Sequence, residues 1–258
     1  MNAWVFDIDG VLTPLRIESI ENNSVLQQIL TIMHKEPVAL ITGRGLAWVR
    51  KNILSKFTVD DKAFNNLFIS TEFGGEVLSF EEGVENYIID EKLKLSTNIL
   101  NKADGILTNY SNLLVREPKL MLYTAKIKKG VPYKKFQKAK KEILSDFENL
   151  IINAGLQSSF TVHEDNLAVN IKNKKLDKGS AINKFLKWLN AENINIGNFI
   201  VFGDNESDFE MGKELSIQGK NFTFVYVGET DPGERDFKVV RTNKHYDEGT
   251  LEYLRGNQ

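Results

Sequence analysis

The chain of 258 residues contains no cysteine, which excludes disulfides, thiolate nucleophiles and Cys-ligated zinc. Histidine is nearly as scarce: its three scattered copies lack metal-ligand spacing. Any metal must therefore be held by oxygen, and a hard cation such as magnesium is the natural candidate. A formal charge of −2 gives no global pull toward nucleic acid or an anionic membrane, so recognition of an anionic ligand has to be local. No stretch approaches the roughly 18 apolar residues of a membrane span. No basic leader with an apolar stretch and small-residue cleavage site precedes the first strand, so a cytoplasmic location is expected. Internal repeats and low-complexity segments are also missing, and Gly43-x-Gly45 lacks the third glycine of a dinucleotide fingerprint.

What is present alternates. Residues 1–80 read as strand Trp4–Phe6, helix Ser24–His34, strand Val38–Ile41, helix Ala47–Phe57 and strand Leu67–Ser70. This βαβαβ order predicts a doubly wound parallel sheet. The segment 81–176 changes character, with a polar helix Glu85–Asn101, a strand near Leu120–Ile127 and a lysine-rich helix Tyr133–Leu150. A hairpin follows, Phe160–His163 and Leu167–Ile171, turned by Glu164-Asp165-Asn166. Such a mixture predicts an α+β insert. From Asp177 the α/β pattern resumes with helix Gly179–Asn190, strand Phe199–Phe202, a short helix after Ser207, strand Phe222–Tyr226 and a helix near Gly249–Leu254. The expected division is a core of 1–80 and 177–258 around an insert of 81–176.

Four stretches at strand tips and helix starts carry the chemistry. In Trp4-Val5-Phe6-Asp7-Ile8-Asp9-Gly10 a buried strand runs out into two carboxylates beside a flexible glycine. One carboxylate can attack phosphorus and bind a metal while the other handles a proton, although a strand end capped by solvated acids has the same pattern. In Val38-Ala39-Leu40-Ile41-Thr42-Gly43-Arg44 a hydroxyl and the N–H groups around Gly43 suit phosphate oxygens, and Thr-Gly is also a common β-to-α turn. Lys178 falls at the start of a helix, the unfavourable end for a cation unless a phosphate dianion joins it. It also reads as a solvated member of the cluster Lys172, Lys174, Lys175 and Lys178. In Phe199-Ile200-Val201-Phe202-Gly203-Asp204-Asn205-Glu206-Ser207-Asp208 a second apolar strand delivers Asp204 and Asp208, four apart and able to share a cation, beside a plausible helix cap.

In this order, Asp7-Ile8-Asp9-Gly10-Val11, Thr42, Lys178 and Gly203-Asp204-Asn205-Glu206-Ser207-Asp208 resemble the motifs of the haloacid dehalogenase superfamily of phosphohydrolases. The resemblance implies a Rossmann-like catalytic core, with the insert corresponding to a C2-type α/β cap that sets substrate specificity. Thr42-Gly43-Arg44, Ser70-Thr71-Glu72-Phe73-Gly74-Gly75 and Asn170-Ile171 are similar to the branch holding sugar phosphatases, sucrose-phosphate phosphatases among them, and the Cof-type enzymes. Ser207 departs from that branch, which usually has Asn there. The implied activity is magnesium-dependent hydrolysis of a small phosphorylated metabolite, a sugar phosphate. Asp7 would attack phosphorus; Asp9 would protonate the leaving alkoxide and then deprotonate water, with proximity to Asp7 and partial burial helping it carry the proton. The implied metal ligands are Asp7, the Asp9 main-chain carbonyl and Asp204. Lys178, Thr42 and Gly43 would hold phosphate, with Asn205 and Asp208 in support.

Specificity is expected in the insert, where Arg116-Glu117-Pro118-Lys119 is similar to a sugar-holding Pro-x-Lys stretch, one residue shorter between Pro and Lys. Arg116 and Lys119 are the candidates. Eight lysines between Lys126 and Lys141 form either an electrostatic funnel or the solvated face of an amphipathic helix. Two other functions remain. A phosphosugar mutase shares the aspartyl-phosphate step but would carry a longer Gly-Gly-Asn-Asp insertion in the fourth motif. A non-catalytic phospho-ligand-binding regulator would typically have lost Asp7 or Asp9.

Overall fold

The computed structural model describes residues 1–14, 17–58, 61–165 and 167–256. In chain order the elements are β1 (Asn2–Phe6), α1 (Asn23–Met33), β2 (Val38–Ile41), α2 (Leu46–Asn52), α3 (Asp61–Phe64), β3 (Leu67–Thr71), β4 (Glu76–Glu81) and β5 (Val84–Ile89). There follow α4 (Thr97–Asn109), β6 (Leu114–Glu117), β7 (Tyr123–Ile127), α5 (Tyr133–Asn153), β8 (Phe160–Glu164) and β9 (Ala168–Asn173). The last are α6 (Lys178–Ala191), β10 (Asn198–Gly203), α7 (Phe209–Ile217), β11 (Phe222–Tyr226), β12 (Val239–Arg241) and α8 (Tyr246–Gly256). Two compact units result: Met1–Ile89 with Asp177–Gln258, and Asp90–Leu176.

The first unit is built on an eight-stranded sheet of order β12-β11-β10-β1-β2-β3-β4-β5. Strands β12 through β3 run parallel; β4 and β5 extend the sheet antiparallel. Along β1, Ala3 and Val5 enter a core with Ile182 and Phe185 of α6 and Met211 of α7. Trp4 and Phe6 enter a second core with Val25 and Ile29 of α1 and Leu254 of α8. Burial on both faces explains the unbroken apolar runs of β1, β2 and β10. It makes the fold a doubly wound α/β sheet. Winding reverses between the parallel neighbours β1 and β10, where Phe6 lies opposite Phe202, and the crevice at such a switch point is where open α/β sheets hold ligands.

Residues 85–89 correct the expected helix Glu85–Asn101. They form β5, paired with β4 across the two-residue turn Glu82-Gly83, both left-handed (φ 50° and 78°) as a type I′ hairpin turn requires. Glu85, read as a helical acid, accepts a two-pronged ion pair from Arg50, 2.6 Å to each oxygen. The helix starts only at Thr97. The core sheet therefore continues through Ile89, past the expected boundary at residue 80.

The second unit is a four-stranded antiparallel sheet, β6-β7-β9-β8. Its core joins Tyr123 and Ala125 of β7 and Val169 and Ile171 of β9 to Phe136, Ile143 and Phe147 of α5 and Ile99 of α4. The exposed lysines of α5 occupy the face opposite these buried positions, the pattern of an amphipathic helix. Asp165 closes the β8–β9 turn by accepting from the N–H groups of Leu167 and Ala168 at 2.8 and 2.7 Å. Asn166, expected in that turn, lies outside the described residues. Among the described residues no helix is long and apolar enough to cross a membrane.

Candidate active site

Asp7 leaves the carboxyl end of β1 with its N–H still bonded to the Phe202 carbonyl, 3.2 Å, so the sheet ladder itself aims the residue into the switch-point crevice. Asp204 follows the neighbouring β10 directly. Between them Gly10 turns the chain at φ 76°, where a Cβ would strike the Asp204 carboxylate; the residue must be glycine for both reasons. Thr13, which the motif reading passed over, closes this turn by donating to the Ile8 carbonyl and accepting from the Gly10 N–H, each at 3.3 Å.

Lys178 is buried, 3% exposed, and is not a solvated member of the basic cluster. Asp177 caps α6, its carboxylate accepting from the Ser180 N–H at 2.6 Å. The Lys178 N–H, the next orphan donor of that turn, goes to Glu210 at 3.1 Å. Its ammonium lies 2.7 Å from Asp7 and also bonds Asp208. Burial works against that charge, but the carboxylates of Asp208 and Asp7 outweigh it and raise the ammonium above the usual lysine range.

Asp208 is fully buried. One oxygen takes Lys178; the other accepts from the N–H groups of Asp204 and Asn205 at 2.9 and 3.1 Å, which shapes the loop after β10. Asn205 donates to Asp204 at 2.8 Å while its own carbonyl accepts from the Ser207 N–H and hydroxyl at 3.0 and 2.7 Å. Ser207, the departure from the sugar-phosphatase pattern, thus orients Asn205.

Asp7, Asp204 and Asp208 bring ligand oxygens within 4.8 Å of one another. One ammonium cannot balance three carboxylates. Burial pushes Asp204 up to about 7, with the Asp208 charge adding to it. Asp7 is also raised well above the ordinary carboxylate range, by burial first; Lys178 opposes this, and the other carboxylates reinforce it. Hard oxygen donors with excess negative charge fit a divalent cation. The described histidines do not enter this group.

Thr42 sits buried at the end of β2, its N–H on the Ser70 carbonyl at 2.9 Å. Its hydroxyl oxygen accepts from the Arg44 N–H at 3.1 Å, which leaves the hydroxyl proton to be donated. Gly43 lies against the Phe73 ring, close enough that a Cβ would come within 2.5 Å of it. Glu72 and Phe73 are left-handed without being glycine (φ 48° and 58°), and backbone of this kind persists only where its surroundings impose it. Here the Glu72 N–H donates to the Arg44 carbonyl at 3.0 Å and the Phe73 N–H to the Thr42 carbonyl at 3.1 Å, so the strained loop braces the Thr42–Arg44 turn.

Asp9 stands apart from the buried cluster. Its side chain is 41% exposed and takes the guanidinium fork of Arg44, with Nη2 at 2.7 Å and Nε at 3.0 Å. In the sequence Arg44 stands out only as the last residue of Thr42-Gly43-Arg44, with no role of its own. Trp48, partly buried against the core of the first unit, carries that guanidinium 4.5 Å from its ring centroid. Arg116 and Lys119 belong to the second unit. There Arg116 pairs with Asp104 at 2.7 Å and lies over the Tyr123 ring, whose hydroxyl donates to the same Asp104 at 3.0 Å.

No curated protein sequence matches the chain. Solved structures do. The trehalose-6-phosphate phosphatase of Aspergillus fumigatus is 15% identical over 100% of this chain and 93% of that one, with a TM-score of 0.61. The C-terminal domain of the C. albicans trehalose-6-phosphate phosphatase is 18% identical over 98% and 90%, TM-score 0.69. The ATP-bound IMP-nucleotidase of Plasmodium falciparum is 13% identical over 82% and 54%, TM-score 0.59. At such identities the likeness is one of fold. Residues 78–217, more than half of the chain, match the family of haloacid dehalogenase-like hydrolases in a stretch that includes Lys178, Asp204 and Asp208; the chain belongs to the haloacid dehalogenase-like hydrolases.

Proposed function

We propose that this hydrolase is a phosphomonoesterase acting on a small phosphorylated metabolite, a sugar phosphate by preference, with Asp7 as nucleophile. The observation that carries the reading is the buried Asp7–Lys178–Asp208 chain at the switch point, beside Asp204, with the Thr42 turn at the end of the parallel neighbour β2. Structural likeness to two trehalose-6-phosphate phosphatases supports a sugar phosphate over a nucleotide, since 93% and 90% of those chains are matched against 54% of the ATP-bound nucleotidase. In the first step an Asp7 oxygen bonds phosphorus, the ester P–O bond breaks, and the leaving oxygen takes a proton from Asp9. In the second, water attacks the aspartyl-phosphate, gives its proton to Asp9 and releases phosphate with Asp7 restored. The Thr42 hydroxyl and the Gly43 N–H would hold the equatorial oxygens, and Lys178 would balance charge between Asp7 and the incoming phosphate.

Asp7 and Asp204, with the Asp9 carbonyl, would hold magnesium, whose charge offsets the repulsion between a carboxylate and a phosphate dianion. Asp208, with both oxygens already occupied, would orient Lys178 and the Asp204 loop. The unit of Met1–Ile89 with Asp177–Gln258 would supply this chemistry, and the Asp90–Leu176 unit the specificity, as a cap. Within it Arg116, paired with Asp104, and Lys119 are the candidates for substrate contact.

The direct test is a panel of sugar phosphates, sugar alcohol phosphates, nucleotides and glycolytic acids, with magnesium and with chelator. Metal-dependent release from sugar phosphates is expected; release from none would leave a phospho-ligand-binding role. Asp9→Asn should cut turnover of alkyl phosphates by about a hundredfold or more, and that of p-nitrophenyl phosphate less, because its good leaving group needs little protonation. Equal losses on both would remove Asp9 from proton transfer.

Metal binding also has a pH signature. Asp7 and Asp204 titrate above their unfolded values, so the metal-free folded state holds protons that the unfolded chain releases. The Asp204 contribution to stability is full below about pH 4 and is lost as pH rises through about 7, and the raised Asp7 adds a loss of the same sign. Without metal the Tm should therefore fall between about pH 5.5 and 8, while magnesium, which displaces those protons, should raise Tm more at pH 8 than at pH 5.5. Thermal melts in chelator and in millimolar magnesium check this; an increment independent of pH would contradict the ligand set.

A further inference from the structure

We propose that Arg44 is a positioning residue that fixes the Asp9 carboxylate for proton transfer, an inference that rests on the phosphatase reading above. Asp9 lies just before the Gly10 turn and is half-exposed, so nothing in its own packing selects a side-chain orientation. Arg44 supplies the selection. Nη2 reaches Oδ1 at 2.7 Å while Nε spans both oxygens, at 3.0 Å to Oδ2 and 3.3 Å to Oδ1. This fork fixes the plane of the carboxylate as well as its place, which a point charge would not do.

An exposed ion pair often does little, because two long side chains must be ordered to make it. Arg44 is ordered already. Its guanidinium lies over the Trp48 ring at 4.5 Å and its third nitrogen, Nη1, reaches Glu18 at 3.3 Å. Its main chain is held at both ends, by the Thr42 hydroxyl at 3.1 Å and by the Glu72 N–H at 3.0 Å. The side chain is only 20% exposed. Asp9 therefore docks on a fixed template, and that template is the same turn that offers Thr42 and Gly43.

The arrangement leaves proton transfer open. Each carboxylate oxygen has two lone pairs, and the fork leaves a site on the outward side of each. A guanidinium does not deprotonate, so the proton given to the leaving oxygen and recovered from water stays on Asp9. Arg44 sets where that exchange happens and touches neither reacting oxygen.

A double-mutant cycle tests this: wild type, Arg44→Met, Asp9→Asn and the double variant, on phenyl phosphate, a poor leaving group, and p-nitrophenyl phosphate, a good one. Arg44→Met should lower kcat on phenyl phosphate about a hundredfold with KM nearly unchanged, and on p-nitrophenyl phosphate less than about tenfold. Placed on Asp9→Asn, it should cost less than about twofold further, because the two residues act as one unit. Arg44→Lys, which keeps the charge without the fork, should fall between wild type and Arg44→Met and carries the same cycle if Arg44→Met does not fold. An equal loss in both backgrounds, a loss carried by KM, or wild-type kcat in either variant would overturn the proposal. Wild-type hydrolysis of neither ester would instead strike the phosphatase reading, and this inference with it.

Discussion

Asp7→Asn should reduce turnover by about four orders of magnitude or more on every phosphoester, activated or not, while the protein remains folded. The substitution keeps the shape of the side chain and its main-chain bond to Phe202, but an amide cannot attack phosphorus at a useful rate. It differs from Asp9→Asn in being blind to the leaving group, because no ester bypasses the need for a nucleophile. Its effect on stability runs the opposite way. Burial first, and the other carboxylates after it, disfavour a charged Asp7 despite Lys178, so removing that charge should leave the metal-free protein at least as stable as wild type at neutral pH. Magnesium should raise the Tm of Asp7→Asn less than that of wild type, since one ligand is weakened. Kinetics and melts on the same preparation check both halves; an active, folded Asp7→Asn protein would falsify the nucleophile assignment.

Some of this molecule is plain in its residues because two constraints coincide there. Strands β1 and β10 are buried on both faces, so they read as continuous apolar runs, and each breaks off into acids where the sheet ends. Burial and chemistry meet at those tips, and Asp7 and Asp204 stand out. Lys178 is different. A lysine at a helix start suits a solvated face as well as a buried ion pair, and only the approach of Asp7 and Asp208 from two other elements decides between them.

The parts that stayed hidden depend on contacts between distant residues or on strained backbone. Strand β5 is exposed along most of its length, so it has no alternation to reveal it; its identity comes from pairing with β4 across a left-handed Glu82. Glutamate is not the residue that announces such a turn. The brace at Glu72 and Phe73 likewise uses left-handed residues without a β-carbon-free signature. The Arg44–Asp9 fork joins residues 35 apart on different strand tips, a relation that no periodicity encodes.

Lys178→Met is expected to have the second-largest effect, acting on fold and chemistry together. The ammonium is the one cation bonded to both Asp7 and Asp208 among the described residues, and methionine matches its length without its charge. Breaking a buried pair by removing one partner leaves uncompensated charge and costs about 3–5 kcal/mol, a large share of the stability of an ordinary domain. The loss should depend on pH in a defined sense. Without the ammonium the carboxylates repel more strongly, and their folded-state pKa values rise further above the unfolded ones. Protonation then becomes the only internal relief, so the variant should be least stable at high pH and recover as pH falls through the raised folded values. Magnesium should restore part of the Tm by supplying charge, but turnover should remain at least about a hundredfold down, because the cation proposed to balance Asp7 against the phosphate would be gone. Melts from about pH 5 to 8 with and without magnesium, beside assays on p-nitrophenyl phosphate, separate the two effects. A variant equally stable at both ends of that range would mean that the buried carboxylates do not depend on Lys178 for their charge balance.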